Sequence, residues 1–161
     1  MVVVSLGSGS VIVTVLSIFV WIVFLISYAE GLNDPWYNSL KFNELNVWIP
    51  RVLWIVSTIV AYTALFFIYS STSYDQTLLI GVLYIIGAFL NILWSVSLFE
   101  LNDLGLAFWA SVVLFLYQLW VFIFIFYLEP LLSLFLIPSV VMYFYLVYTM
   151  INTSLLNDIP L

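Results

Sequence analysis

The chain has 161 residues, 66% of them hydrophobic and 6% charged, with a net charge of −6 and a mean hydropathy of +1.28. Ordinary soluble domains carry roughly 25% charged residues, so this chain cannot cover a surface that faces water and reads as an integral membrane protein. Its acidity argues against nucleic acid and anionic lipid headgroups as partners. With no cysteine and no histidine, it has no disulfide, no thiolate and no imidazole chemistry.

In lipid, every backbone polar group must be satisfied within the chain, by helices or by a closed barrel. Barrel strands alternate apolar and polar residues over ~10 positions. The apolar runs here are long and unbroken, which predicts an all-α, five-transmembrane-helix bundle forming a single domain over residues 1–161. The expected helices cover 9–29, 48–69, 77–98, 105–128 and 131–151. Each is ~20 residues or slightly longer, the length that crosses a bilayer core. The first helix follows MVVVSLGSGS, which lacks the basic start of a signal peptide, so that helix is expected to stay in the mature protein.

The charges agree with this division. Glu30, Asp34, Lys41, Glu44, Asp75, Glu100, Asp103, Glu129 and Asp158 fall in the expected loops or tail, and Arg51 falls in the first turn of the second helix, within snorkelling reach of the interface. Both basic residues belong to the side that holds the first loop, the third loop and the C-terminus. The positive-inside rule places that side in the cytoplasm. The first loop contains Pro35, Trp36, Tyr37, Phe42 and Trp48, too aromatic for a disordered linker. Two readings are open: a lid over the bundle end, or an interfacial aromatic belt.

Much chemistry is excluded. The carboxylates are scattered over both faces, so no metal cluster is expected. A triad lacks its histidine. A retinal Schiff base lacks an intramembrane lysine, since Lys41 lies in a loop. A proton relay lacks intramembrane acids. An aromatic, nearly uncharged bundle is left, suited to holding a flat or rigid apolar molecule or to packing against other membrane subunits.

One stretch of the third helix breaks the apolar pattern: Asn91, Trp94, Ser95 and Leu98 in "LNILWSVSLF". The spacing i, i+3, i+4, i+7 puts them on one face. Their polar groups need partners in a dry medium. Asn91 is either interhelical glue, bonded to Gln118 or a backbone carbonyl, or the polar spot of an apolar ligand pocket. The pairs Gly87/Asn91 and Ala107/Ser111, four residues apart, permit close helix approach within the chain or at a dimer seam.

Taken in order, several short motifs resemble the TspO/translocator-protein family, the tryptophan-rich sensory proteins, over residues 36–157. Trp36-Tyr37-x-x-Leu40 is similar to the family's W-Y-x-x-L. Trp48 and Trp54 resemble the two tryptophans that open its second helix. Asn91-x-x-Trp94-Ser95 with Phe99 resembles L-N-x-x-W-[SP]-x-x-F-F, and Gly105-x-Ala107 resembles the G-x-A that starts helix four. Pro138 and Leu156-Asn157 resemble the fifth helix's proline and the closing L-N. The chain departs from the family at Asn46-Val47 in place of Pro-Pro, at Val52 for a proline, Thr58 for a tyrosine, Ala110 for an aspartate, Met142 for a tryptophan and Met150 for an asparagine.

The resemblance implies five helices around a pocket that opens toward the first loop. It implies a receptor or carrier for tetrapyrroles (porphyrin, haem), sterols or similar apolar ligands, acting in stress response or porphyrin handling, and a homodimer. No cofactor is required, and enzyme activity is limited to a proposed photo-oxidative breakdown of porphyrin. Mapped by position, the ligand-binding residues are Trp36, Tyr37, Trp48, Trp54, Asn91, Trp94 and Ala107. Arg51 joins them by its charge, as a partner for a ligand carboxylate. The rival reading is a non-catalytic structural subunit of a membrane complex, its aromatics filling protein–protein grooves.

Overall fold

The computed structural model describes residues 8–42, 52, 55–61, 63 and 74–161. Helix α1 covers Ser8–Gly31 and the short α2 covers Pro35–Ser39. Residues 55–61 form the described part of α3. Then come α4, Tyr74–Ser95, a π-helical turn at Val96–Glu100, α5 at Leu104–Leu128, α6 at Pro130–Ser133, a 3-10 turn at Leu134–Leu136 and α7 at Ile137–Asn157. Three of these stretches are long and apolar enough to cross a membrane: Leu78–Glu100, Leu104–Leu128 and Pro130–Asn157. Most of the expected second helix lies outside the described residues.

The bundle is inside-out relative to a soluble protein. Large apolar side chains such as Phe19, Phe89, Trp109, Leu116, Phe126 and Phe144 point outward, where lipid tails are their solvent. Small polar residues line the interior: Ser95, Ser97, Ser111, Ser133, Ser139, Thr149, Thr153 and Ser154 are buried. Their size lets the helices approach closely. Many of the hydroxyls bond back to their own helix, Ser97 to the Leu93 carbonyl, Ser111 to Phe108, Thr149 to Tyr145 and Thr153 to Thr149, so these hydroxyls are satisfied without water.

Helix α1 packs mainly on α4, and α5 on α7. On α5 the buried positions Leu104, Ala107, Ser111, Leu114, Val121 and Ile125 trace one face at helical spacing. On α1 the inward stripe is Trp21, Phe24 and Tyr28, with Trp21 edge-on to Phe24 at 5.4 Å.

Charged and turn residues close the ends. Asp34 accepts a hydrogen bond from the Tyr37 amide and precedes Pro35, an N-cap followed by a proline pre-set for the first helical position. Asp103 caps α5 through the Leu106 amide, after Asn102 has taken the left-handed conformation at φ 52°, which asparagine tolerates. The connection from the π turn to α5, residues 101–103, is therefore three residues long and sets α4 and α5 side by side.

The ends differ from the sequence expectation at two places, each for a physical reason. The stretch expected as the fifth helix does not run as one helix from 131. Pro138 has no N–H and its ring clashes with the carbonyl four residues back, and the chain before it is broken into α6 and a 3-10 turn. At the other end α7 continues past 151 to Asn157. The polar residues there interrupt hydropathy but not the helix, since Asn157 donates to the Thr153 carbonyl.

The π turn wedges between α1 and α5, and Ser97, Leu98 and Phe99 are all buried there. Its wider winding shows in the bond from the Leu101 amide to the Val96 carbonyl. Phe99 is the hub of an aromatic cluster, edge-on to Tyr37 at 5.0 Å, to Tyr28 at 5.8 Å and to Trp94 at 6.1 Å. Gly31 lies so close to the Phe99 ring that a Cβ there would overlap it. Gly31 has no positive φ, so glycine is required for space alone.

Gly31→Ala is expected to cost about 1–3 kcal/mol, the usual range for overpacking, read as a lower thermal midpoint in detergent, with Phe99→Leu restoring part of it in the double variant. An unchanged midpoint would mean that the ring yields freely. A second expectation concerns the loop. The Lys41 amide donates to Asn157 Oδ1 at 2.8 Å, and Asn157 Nδ2 donates to the Lys41 carbonyl at 3.0 Å. Asn157→Leu removes both bonds, worth about 1–2 kcal/mol together, and tryptic cleavage after Lys41 should accelerate several-fold; equal rates would show that this pair does not hold the loop.

Candidate functional site

The site grows from the inner face of α4. Helical spacing carries Gly87, Asn91 and Trp94 down one side. Asn91 is 2% exposed and both hydrogens of its amide are used: Nδ2 donates to the Gly87 carbonyl at 2.8 Å and to the Tyr143 hydroxyl of α7 at 2.7 Å. Of the two expected partners, Gln118 is not bonded; a backbone carbonyl is, though it is Gly87 of the same helix, and the partner across helices is Tyr143. The interhelical tie itself is present, and it joins α4 to α7.

Trp94, 5% exposed, is held by rings. Tyr28 of α1 stacks on it at 6.2 Å with an interplanar angle of 30°, and Phe99 meets it edge-on. Its indole Nε1 is buried and has no hydrogen-bond acceptor among the described residues. A buried donor without a partner is expensive, of the order of 1–3 kcal/mol. Beside it is a cavity of about 30 Å³ lined by Phe24, Tyr28, Asn91, Trp94, Met142, Tyr143 and Leu146. That volume admits a water or two, and its walls are almost wholly aromatic and aliphatic.

The end of the bundle nearest this cavity is covered by the first loop. Trp36 and Tyr37 pack on the same buried cluster as Trp94, Phe99, Met142 and Tyr143, and Tyr37 also meets Phe42 at 4.9 Å. The described part of the loop is thus a roof of packed aromatic side chains, closed by the Asp34 cap and by the Lys41–Asn157 bonds. Ala107, fully buried, belongs to the same cluster on the α5 side but does not line the cavity.

The structure therefore brings Asn91 and Trp94 together at the cavity, with Trp36 and Tyr37 above and Ala107 behind. Trp48, Arg51 and Trp54 lie outside the described residues. Sequence reasoning did not pick out Phe24, Tyr28, Tyr143 and Leu146. The signal existed for α1, where Trp21, Phe24 and Tyr28 share one face. Tyr143 gave no signal, because one tyrosine among several on α7 is indistinguishable until the helix is placed against Asn91.

Chemically the described lining offers ring faces, the Asn91 amide and two tyrosines, with no carboxylate, lysine, histidine or cysteine among them. Among the described residues no group of carboxylates, histidines or cysteines can hold a metal ion. Such a lining suits an apolar molecule better than a charged one.

Among known proteins, neither the curated sequences nor the solved structures yield a match. The model of the TspO/MBR family matches residues 10–156, a range that holds α1, the roofing loop, the Asn91–Trp94 face and nearly all of α7. This chain, with its membrane-spanning helices and its tryptophan-bearing face on α4, belongs to the TspO/MBR family.

Proposed function

We propose that this protein is a membrane receptor or carrier for an apolar ligand that bears a hydrogen-bond acceptor, with a tetrapyrrole such as porphyrin or haem as the first candidate and sterol-like molecules next. The buried Trp94 N–H without an acceptor, in a box of stacked rings, carries the reading. An acceptor on the ligand would complete that donor, and ring faces such as Tyr28 and Trp94 would stack on a planar body. Family membership supports a ligand-binding or transport role in general terms.

In this reading α1 and the second helix join the three long spans to give a single five-span domain. The first loop and the C-terminus share one side, in keeping with the bonds between Lys41 and Asn157, and the two basic residues put that side in the cytoplasm. Trp48, Trp54 and Arg51 would complete the mouth, Arg51 pairing with a ligand carboxylate. A macrocycle is far larger than a cavity of about 30 Å³, so entry requires the aromatic roof to lift and the Asn91–Tyr143 bond to open. The protein is taken as a homodimer, though not through Gly87, which packs on Tyr117 of its own chain.

A second reading has its own observation. Both Asn91 hydrogens are satisfied inside the chain, as interhelical glue requires, and a structural subunit of a membrane complex would need no more. Titration of protoporphyrin IX into the purified protein, followed by tryptophan fluorescence, separates the two. The ligand reading expects saturable quenching near one equivalent, weakened about tenfold in Trp94→Phe, the worth of one hydrogen bond of about 1.4 kcal/mol. Quenching that does not saturate, or that is equal in both proteins, would favour the structural subunit.

A further inference from the structure

A second cavity, of about 40 Å³, lies on the far side of Tyr143 from Trp94. Met142 and Tyr143 line both cavities and form the partition between them. Among the other lining residues are Ser57, Thr58, Tyr84, Tyr117, Gln118 and Ser139. Tyr84 is seven residues before Asn91 on α4, about 10 Å along the axis. Gln118 is in the middle of the Leu104–Leu128 span. A cluster of polar groups at that depth is costly in hydrocarbon unless each is partnered.

Several are partnered. The Tyr84 hydroxyl donates to the Ala61 carbonyl at 3.0 Å, the Tyr117 hydroxyl to the Leu83 carbonyl, and the Ser139 hydroxyl weakly to the Ser57 carbonyl at 3.5 Å. The Gln118 amide and the Thr58 hydroxyl bond no described residue, and both line the cavity. The amide offers two donors and an acceptor oxygen, and the hydroxyl adds a donor and an acceptor. None of the described lining residues carries a charge. The cavity therefore suits a neutral hydroxyl, carbonyl or amide, and it penalises an ion, whose desolvation nothing there would offset.

The partition is slight. Methionine is flexible and adapts to irregular space, and the Tyr143 hydroxyl accepts the Asn91 bond that ligand entry must break. Turning Tyr143 aside would join the two cavities into one elongated site. One end of it would present the Trp94 N–H and the released Asn91 amide, the other Gln118 and Thr58.

We propose that the Gln118 cavity is a second recognition point of the same ligand site, taking the neutral polar end of an elongated apolar ligand whose acceptor at the other end meets Trp94. This rests on the ligand-binding reading above. The favoured ligand class is a slender, uncharged molecule with hydrogen-bonding groups about 10 Å apart, the rise of the seven residues from Gly87, which lines the Gln118 cavity, to Trp94.

Equilibrium binding of two tritiated steroids to the purified protein in detergent tests it: 5α-androstane-3,17-dione, with a carbonyl at each end, and 5α-androstan-17-one, with one. Gln118→Met and Thr58→Val keep the side-chain volume and remove the polar groups. The dione is expected to lose about tenfold in affinity in Gln118→Met and several-fold in Thr58→Val, while the mono-ketone is unaffected and Trp94→Phe weakens both. If neither variant changes dione binding while Trp94→Phe does, the cavity holds water only and the inference fails with the ligand reading intact. Equal losses for both steroids, or no saturable binding of either to the wild-type protein, also overturn the inference; the protoporphyrin titration then judges the ligand reading by itself.

Discussion

The bond from the Asn91 amide to the Tyr143 hydroxyl ties α4 to α7 in a region without water. In hydrocarbon an amide has no solvent to fall back on, and leaving it unpaired costs several kcal/mol. That cost fixes the relative rotation of the two helices. Once Asn91 faces Tyr143, helical spacing turns Trp94 toward Tyr28 of α1 and Phe99 toward Gly31 and the roofing loop. The α1–α4 contact, the aromatic hub and the cavity thus depend on one polar pair. The remaining interior polar groups are mostly small hydroxyls satisfied by their own helices, so they permit close packing without specifying partners.

The same rule explains where the charges sit. Asp34 and Asp103 cap helix N-termini with their side chains, while Glu129 and Asp158 stand at cap positions through their backbone. Their acidity is concentrated at chain turns rather than at the ligand cavity. The described residues lining the cavity have dipoles and ring faces only. Selectivity at such a lining comes from shape and from the placing of a few hydrogen-bond groups.

Much of this was legible in the sequence. Long apolar runs and near-absence of charge gave the three long spans, and the Asn91-x-x-Trp94-Ser95 spacing gave the face that the cavity uses. Trp36 and Tyr37 were recognisable as a packed element because disordered loops are not built from such side chains. The break before Pro138 and the continuation of α7 to Asn157 were not read from hydropathy, which registers polarity and not backbone geometry. The Gln118 expectation for Asn91 failed for a similar reason: spacing places a residue on a face but does not say which helix meets that face. Tyr143 became visible only with the α4–α7 contact. The departure at Met142, by contrast, gains meaning from the structure. A methionine, where the family carries a tryptophan, stands at the partition between two cavities.

That substitution changes what the site can become. An indole at 142 would be a rigid wall with its own donor. A methionine there is a pliable one without a donor. The stability lost to one unsatisfied donor is small against the total for a packed bundle, yet it is recovered only when something with an acceptor enters. In the proposed reading, entry breaks the Asn91–Tyr143 bond and loosens the tie between α4 and α7. A ligand that replaced that bond with its own would be held tightly, and one that merely filled space would not. The interaction that ties the two helices would then also set the threshold for binding, so glue and ligand site need not be different residues.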